Sequence, residues 1–403
     1  MIKNNKNFRY LIVGRYLSNI GDSVYNIVLA WYIMQLTGSS FWVGIFNAAL
    51  FIPTIFSFLF GNIIDNNSKK KLLVLLAAGQ STAVFFIILT MLTGQNTPGV
   101  ICFLVFVASI FSTNTYTVQD AYIPKIVEPK DLEEASRIKS ISYKVSDYIF
   151  NAISGFLLEF FSSAVLLVIS VVTLASSALA FLKMEDIEKV ASESELHEKN
   201  DDILKGFSFL LQNKIMLVFT VTSLISNFFF GGYNVYIVLI ADEMNSPVML
   251  GLINSVAAIG AFLGAWMLAG YVIKNMGVGK KRVIARLGVG IGIALSGFAV
   301  NSWLFLLPLF LANLFLGVAH VTNDPIMQSI IPAEDMGKVL TAYYSITVGV
   351  MPLGSLFFGY MANYLTASMF MCIFGFFGIL DGLINWRYKP IANFVIGNEI
   401  QEN

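Results

Sequence analysis

Arg15, Asn19, Asp22 and Asn26 recur at intervals of three and four residues in RYLSNIGDSVYN, inside an otherwise apolar stretch. On an ideal α-helix these four lie within about 40° of one another, so they form one polar stripe, flanked by Ser18. The chemistry open to such a stripe is hydrogen bonding, ion pairing and, at Asp22, the gain and loss of a proton. Counting about 1.5 Å per residue from Phe8 puts Asp22 near the middle of a membrane-spanning helix. A charged side chain there costs roughly 2.5–3.5 kcal/mol on insertion scales, so the stripe is expected to face protein or a water-filled cavity. Asp22 has two readings: a structural acceptor between helices, or a carboxylate protonated in one access state and ionised in the other. We carry the second forward, because a site that hydrates alternately can bind and release a proton. Arg15 leans toward the N-terminus of its helix and away from Asp22; it either snorkels to the interface or lines a cavity.

The stripe has an echo. SNIGDSVYN at 18–26 returns as SNFFFGGYN at 226–234, with Phe230 where Asp22 would be. Asn227, Tyr233 and Asn234 therefore form a matching stripe, expected to face the first one across a pathway. Together with Arg15, Asn19 and Asn26 they are the candidates for lining a substrate cavity. Other polar residues are secondary. His320 and Asp324, one helical turn apart, form either a pH-sensitive pair or an end-of-helix polar cluster. Asp147, three residues after Lys144, is expected to make a local ion pair. Asp381 lies about one and a half turns inside the last apolar segment, with no partner visible in the sequence. GVGKK at 277–281 resembles a clipped phosphate loop, but Lys281 stands where Ser or Thr is needed and no Gly lies five positions before Gly279.

The elements that position these residues follow from composition. Of 403 residues, 57% are hydrophobic and 12% charged, and the mean hydropathy is +0.74; a soluble domain carries about 25% charged residues. The chain is a polytopic membrane protein. Its net charge of zero gives no reason to expect nucleic acid as a partner. Cys102 and Cys372, far apart in apolar runs, imply neither a disulfide framework nor a metal cluster. No metal or other cofactor is expected, and no constellation of catalytic groups converges, so an enzyme is disfavoured. The first apolar stretch is too long for the core of a signal peptide and is read as a retained span.

A helix needs roughly 20 apolar residues to cross the hydrocarbon. Twelve segments qualify: about 8–36, 41–64, 72–93, 98–119, 140–161, 163–182, 215–240, 247–273, 283–300, 303–322, 339–362 and 366–386. The connections at 37–40, 94–97, 162, 241–246, 301–302 and 363–366 contain no Lys or Arg, and of the 25 basic residues Arg15 alone lies well inside a span. Basic loops mark the cytoplasmic side, so both termini are expected there. TNTYTVQ at 113–119 recurs as TNDPIMQ at 322–328, Gly44 as Gly251, and Pro124 as Pro332, all at offsets of 207 to 209. The fold class is thus an all-α membrane protein of twelve helices in two pseudo-symmetric six-helix halves, 1–182 and 214–403. They are joined by an acidic cytoplasmic linker, 183–213, whose DILKGFSFLLQNK end is amphipathic and expected along the membrane surface. Parallel halves of this kind are a transporter architecture, with the substrate between them. Gly260 with Gly264, and Gly288 with Gly292, have the spacing that lets helices approach closely.

These features resemble the major facilitator superfamily over essentially the whole chain. Gly61, Asp65, Lys69 and Lys70 match its marker in the loop after the second span, while Asn66 and Ser68 depart from it. The resemblance implies that Asp65 braces the second span against the eleventh, as a conformational latch; Lys274 stands at its place in the second half. RYLSNIGDSVYN, IPKIVEPKDLEEAS and GFSFLLQNK look like the macrolide-efflux-type branch, whose members export drugs or other small amphipathic compounds in exchange for protons. NAISG at 151–155 lacks the proline of many antiporters; Gly349, Pro352, Gly354 and Gly359 form a related series in the eleventh span. The expected activity is proton-coupled efflux by alternating access, in a monomer in a bacterial inner membrane. Its partners would be a small amphipathic substrate, protons and the lipid bilayer. Two alternatives stand: an exporter or flipper of a specific metabolite, siderophore or lysolipid, and a non-transporting membrane sensor or partner-binding module.

Overall fold

A computed structural model describes residues 5–56, 60–95, 97–128, 131–186, 200–300, 302–332 and 335–395. In chain order the helices are α1 (Lys6–Thr37), α2 (Ser40–Ile55), α3 (Gly61–Asn66), α4 (Lys69–Leu92), α5 (Pro98–Ile126), α6 (Leu132–Leu157), α7 (Ser163–Leu182) and α8 (Asn200–Gln212). There follow α9 (Lys214–Glu243), α10 (Val248–Leu263), continued as a π-helix over Gly264–Val272, α11 (Val278–Gly297), α12 (Leu306–Ile330), α13 (Met336–Gly349), α14 (Met351–Met361), α15 (Ala367–Arg387) and α16 (Lys389–Ala392). A helix lies at each of the twelve expected spans, the second formed by α2 and α3 and the eleventh by α13 and α14. The break in the eleventh falls where Pro352 enters α14 and can donate no backbone hydrogen bond.

Among the described residues, eight helical segments are long and apolar enough to cross a membrane on length and composition alone. The other four spans are α1, α2 with α3, α6 and α11. Three of these carry polar side chains that the fold turns inward: Asn19 in α1, Ser154 in α6 and Arg282 in α11 are all buried. Hydropathy falls short where a helix spends its polar residues on its neighbours.

The chain divides into two compact units, Met1–Leu196 with Asn245–Gly251, and His197–Met244 with Leu252–Asn403. The same helix pairings recur inside each. In the first, α4 packs on α5 and α7, α1 on α6 and α7, and α2 on α5. In the second, α11 packs on α12 and α15, α9 on α13, α14 and α15, and the π-segment on α12. Counted as spans, three meets four and six, one meets five and six, and two meets four, in both copies. Two six-helix halves of one design are thus visible in packing as well as in sequence.

Small residues set the closest approaches. A Cβ added at Gly260 would stand 2.9 Å from the Phe310 carbonyl oxygen, and one at Gly264 would collide with the Leu314 carbonyl, both on α12. Only glycine lets the eighth span lie this near the tenth.

The first residues after α7 are clamped rather than loose. The Glu185 N–H donates to Asn7 Oδ1 (2.7 Å), and its carbonyl accepts from Asn7 Nδ2 and the Tyr122 hydroxyl, both at 3.2 Å. Lys6 Nζ lies 2.9 Å from the Glu185 carboxylate, and the Ser68 hydroxyl stands 2.9 Å from each Asp186 oxygen. Most of the acidic run, 187–199, lies outside the described residues. The amphipathic segment, α8, packs on α9 and α13, where Leu210 is 1% exposed in one cluster with Phe219 and Tyr343.

Candidate functional site

The first half builds its polar site on α1. Asn5 caps this helix by accepting from the Phe8 N–H at 3.0 Å, and Gly38 ends it in the left-handed conformation (φ 59°). Between these caps the polar stripe meets α4, α5 and α6. Asp22, half-buried, is held by three donors from two helices. Gln80 Nε2 of α4 donates to Oδ1. On α5 the Ser112 hydroxyl donates to Oδ2 at 2.9 Å, and the Tyr116 hydroxyl lies 2.7 Å from the same oxygen. The carboxylate is therefore surrounded by polar groups at a depth where hydrocarbon would be the alternative.

Asn19, 2% exposed, donates its amide to the Ser142 carbonyl of α6 at 3.5 Å and accepts at Oδ1 from Tyr116. A second carboxylate stands nearby. Asp147 of α6 accepts from Asn151 Nδ2 (2.8 Å) and from the Ser23 hydroxyl (3.3 Å). The ion pair expected for Asp147 involves the Lys144 side chain, which lies outside the described residues. Asn26 leaves a buried Oδ1 with no hydrogen-bond donor among the described residues.

Arg15 does not snorkel. It is buried, its Nη1 lies 2.7 Å from Asp120 Oδ1, and its guanidinium sits 5.2 Å from the centre of the Tyr116 ring. Asp120 also takes Lys139 at 3.3 Å, so this carboxylate ties α1, α5 and α6 together. Directly before Asp120, Gln119 is wholly buried, with neither amide atom hydrogen-bonded among the described residues.

In the second half the echoed stripe behaves differently. Asn227 donates to the Thr347 carbonyl of α13 at 2.9 Å. This repeats what Asn19 does, a bond from the first helix of the half to its fifth span. The Asp22 position is filled by rings. Phe228, Phe229 and Phe230 lead into a cluster with Phe357, Phe358, Phe370, Phe374 and Phe377, and Tyr233 stacks on Phe230 at 5.7 Å. Asn234 is half-buried on the same helix.

Asp381 gains the partner that the sequence withheld. Arg286 Nη1 of α11 lies 3.2 Å from its Oδ2, and Asn385 donates to its Oδ1 at 2.6 Å. Arg282, fully buried, donates from Nε to Asn385 Oδ1 (2.9 Å) and from Nη1 to Asn323 Oδ1, with its guanidinium 3.5 Å from the Phe219 ring centre. The fold draws both arginines into the half. His320 and Asp324 are both exposed on α12. Of the latch residues, the Gly61 and Asp65 side-chain positions lie outside the description, Lys69 is 2% exposed, and Lys70 is half-buried.

Gln80, Ser112, Tyr116 and Asp120 are the site residues that sequence reasoning missed. Two signals existed: Gln80 breaks the apolar run of α4, and Tyr116 lies within TNTYTVQ, noted only as a repeat, with Ser112 and Asp120 at its two ends.

Residues 11–354 match the family model of the Major Facilitator Superfamily. The chain is 22% identical over 409 residues to an uncharacterized MFS-type transporter, YvqJ, of Bacillus subtilis (strain 168), covering 98% of this chain and 96% of that one. Among solved structures it resembles the nucleoside transporter NupG, with a TM-score of 0.73 at 16% identity over 95% of this chain and 98% of that one. It also resembles the POT family transporter PepTSo, with a TM-score of 0.71 at 12% identity over 96% and 98%.

Proposed function

Because this chain belongs to the Major Facilitator Superfamily, a family of multi-pass membrane transporters, we propose that it exports small amphipathic compounds in exchange for protons. In this reading it is a drug exporter of the macrolide-efflux type in a bacterial inner membrane, acting as a monomer with both termini in the cytoplasm. The halves 1–182 and 214–403 alternate access around the substrate, with 183–213 as the linker between them. Asp22 takes up a proton in one access state and gives it up in the other.

The observation that supports this is the setting of Asp22. It is a half-buried carboxylate deep in a membrane helix, with hydrogen-bonding neighbours on α4 and α5 and no cation bonded to it among the described contacts. A fixed cationic partner would favour the ionised form of the carboxylate, whereas neutral groups that both give and accept hydrogen serve either charge state. Asn19, Asn26 and Arg15 in the first half, and Asn227, Tyr233 and Asn234 in the second, are the proposed cavity residues. Asp65 with Gly61, Lys69 and Lys70 is the proposed latch.

The test is proton-gradient-driven uptake of a labelled macrolide into inverted vesicles. Wild-type protein accumulates the label when the lumen is acidic, and Asp22→Asn, expressed and folded to the same level, does not. Uptake by Asp22→Asn equal to wild type ends the proposal for this residue.

A further inference from the structure

Tyr116 stands between two acceptors with one hydrogen to give. Its hydroxyl lies 2.7 Å from Asp22 Oδ2 and 2.5 Å from Asn19 Oδ1, and a phenol carries a single O–H. Nor can Asn19 escape by turning over. Its Nδ2 faces the Ser142 carbonyl, and a reversed amide would set oxygen against oxygen. The ring itself is held from above by the Arg15 guanidinium, which is anchored to Asp120, so the hydroxyl can rotate while the ring keeps its place.

We infer that Tyr116 is a positioning residue that senses whether Asp22 carries a proton and passes that state to Asn19, and through Asn19 to α6. The inference rests on the proposed role of Asp22 as the proton carrier. With Asp22 ionised, Tyr116 and Ser112 both donate to Oδ2, Gln80 donates to Oδ1, and Asn19 Oδ1 goes without its donor. A proton arriving at Oδ2 makes a new O–H, which donates to the phenol oxygen; Tyr116 then turns its own hydrogen to Asn19 Oδ1. Tyr116 loses no proton. One proton is gained by Asp22, one hydrogen bond reverses direction, and one moves from Asp22 to Asn19. An amide that accepts at Oδ1 donates more strongly from Nδ2, so the Asn19–Ser142 link between α1 and α6 tightens on protonation and slackens on release.

Among the described side chains, the charged and titratable groups facing this cluster are few. They are Arg15 and Tyr25 of α1, Tyr116 and Asp120 of α5, and Lys139 and Asp147 of α6; α4 brings Gln80, and α7 brings the hydroxyls of Ser170, Thr173 and Ser177. Arg15 and Lys139 both pair with Asp120, and Asp147 is the other carboxylate near the cluster.

Two variants should displace the titration in opposite directions. Tyr116→Phe removes a donor to the ionised carboxylate, and a hydrogen bond to a charged group is worth enough to move its midpoint by about one pH unit toward alkaline pH. Asn19→Leu removes the acceptor that rewards protonation, which moves the midpoint toward acid pH. The measurement is pH-difference infrared spectroscopy of the purified full chain in phosphatidylethanolamine–phosphatidylglycerol vesicles, following the protonated-carboxyl band that Asp22→Asn abolishes. It needs no transported compound, and general loosening of the fold would not send two variants opposite ways. Opposed shifts establish the relay. A band that depends on Asp22 but moves the same way in both variants, or in neither, overturns the relay while leaving Asp22 as proton carrier. The absence of any titrating band that depends on Asp22 overturns both.

Discussion

Arg286 and Asp381 stand 3.2 Å apart across α11 and α15, and both side chains are withdrawn from the surface. Arg282, buried beside them, donates instead to the amide oxygens of Asn385 and Asn323, so the Asp381 carboxylate is the partner of Arg286. Removing that carboxylate strands a buried charge, which typically costs about 3–5 kcal/mol. Asp381→Ala should therefore lower the unfolding midpoint in detergent steeply, while the double variant Arg286→Met with Asp381→Leu should recover most of the loss. Equal losses in the single and double variants would show that the pair is not what holds these helices.

The paired asparagines allow a sharper comparison. Asn19 and Asn227 both tie the first helix of their half to a backbone carbonyl of its fifth span. Interhelical hydrogen bonds in membranes average about 0.6 kcal/mol. Asn227→Ala should cost about that much in stability and leave the pH dependence of transport where it was. A pH profile displaced by Asn227→Ala would mean that the second stripe takes part in proton coupling after all.

At the end of α7 the Lys6 ammonium, by its hydrogen bond and then its charge, holds the Glu185 carboxyl below the usual carboxylate range. A carboxyl lowered on folding adds stability above its unfolded value, about 4.3, and loses it as pH falls through the folded value. The advantage of wild type over Glu185→Gln should thus vanish in acid and be reduced by salt, since the pair is solvated. The backbone clamp should outlast it. Hydrogen exchange at the Glu185 N–H should quicken in Asn7→Ala and remain slow in Lys6→Gln.

Gly264 offers a packing test. Its α-carbon leaves no room for a side chain beside the Leu314 carbonyl, and overpacking costs about 1–3 kcal/mol. Gly264→Val should lower the detergent unfolding midpoint, whereas Gly337→Ala, with nothing near its added carbon, should not. A stable Gly264→Val protein would show that α10 and α12 can separate freely.

How much of this was legible in sequence depends on the reach of each signal. Spans could be read because hydrophobicity is local, and the duplication because SN…YN and TN…Q recur at constant offset. Asp22 was visible because an acid in an apolar run is costly wherever it points. Its partners were not, since Gln80, Ser112 and Tyr116 lie 58, 90 and 94 positions away and no local pattern ties them to it. Arg15 was placed on the right face but left without Asp120, 105 residues on. Arg282 was not legible for a different reason: it closes a KKR run, the pattern of a solvated loop, and only the packing of α9, α12 and α15 around it takes it out of water.

The aromatic cluster around Phe229 has a consequence of its own. Rings cohere by dispersion and shape, and dispersion is indifferent to acidity. At the sequence position where the first half keeps Asp22, the second half holds Phe230, stacked on Tyr233 next to the ring cluster of Phe228 and Phe229. A proton taken up at Asp22 would have no counterpart site among these rings, so the proposed coupling would act on one copy of the repeat and not on its twin.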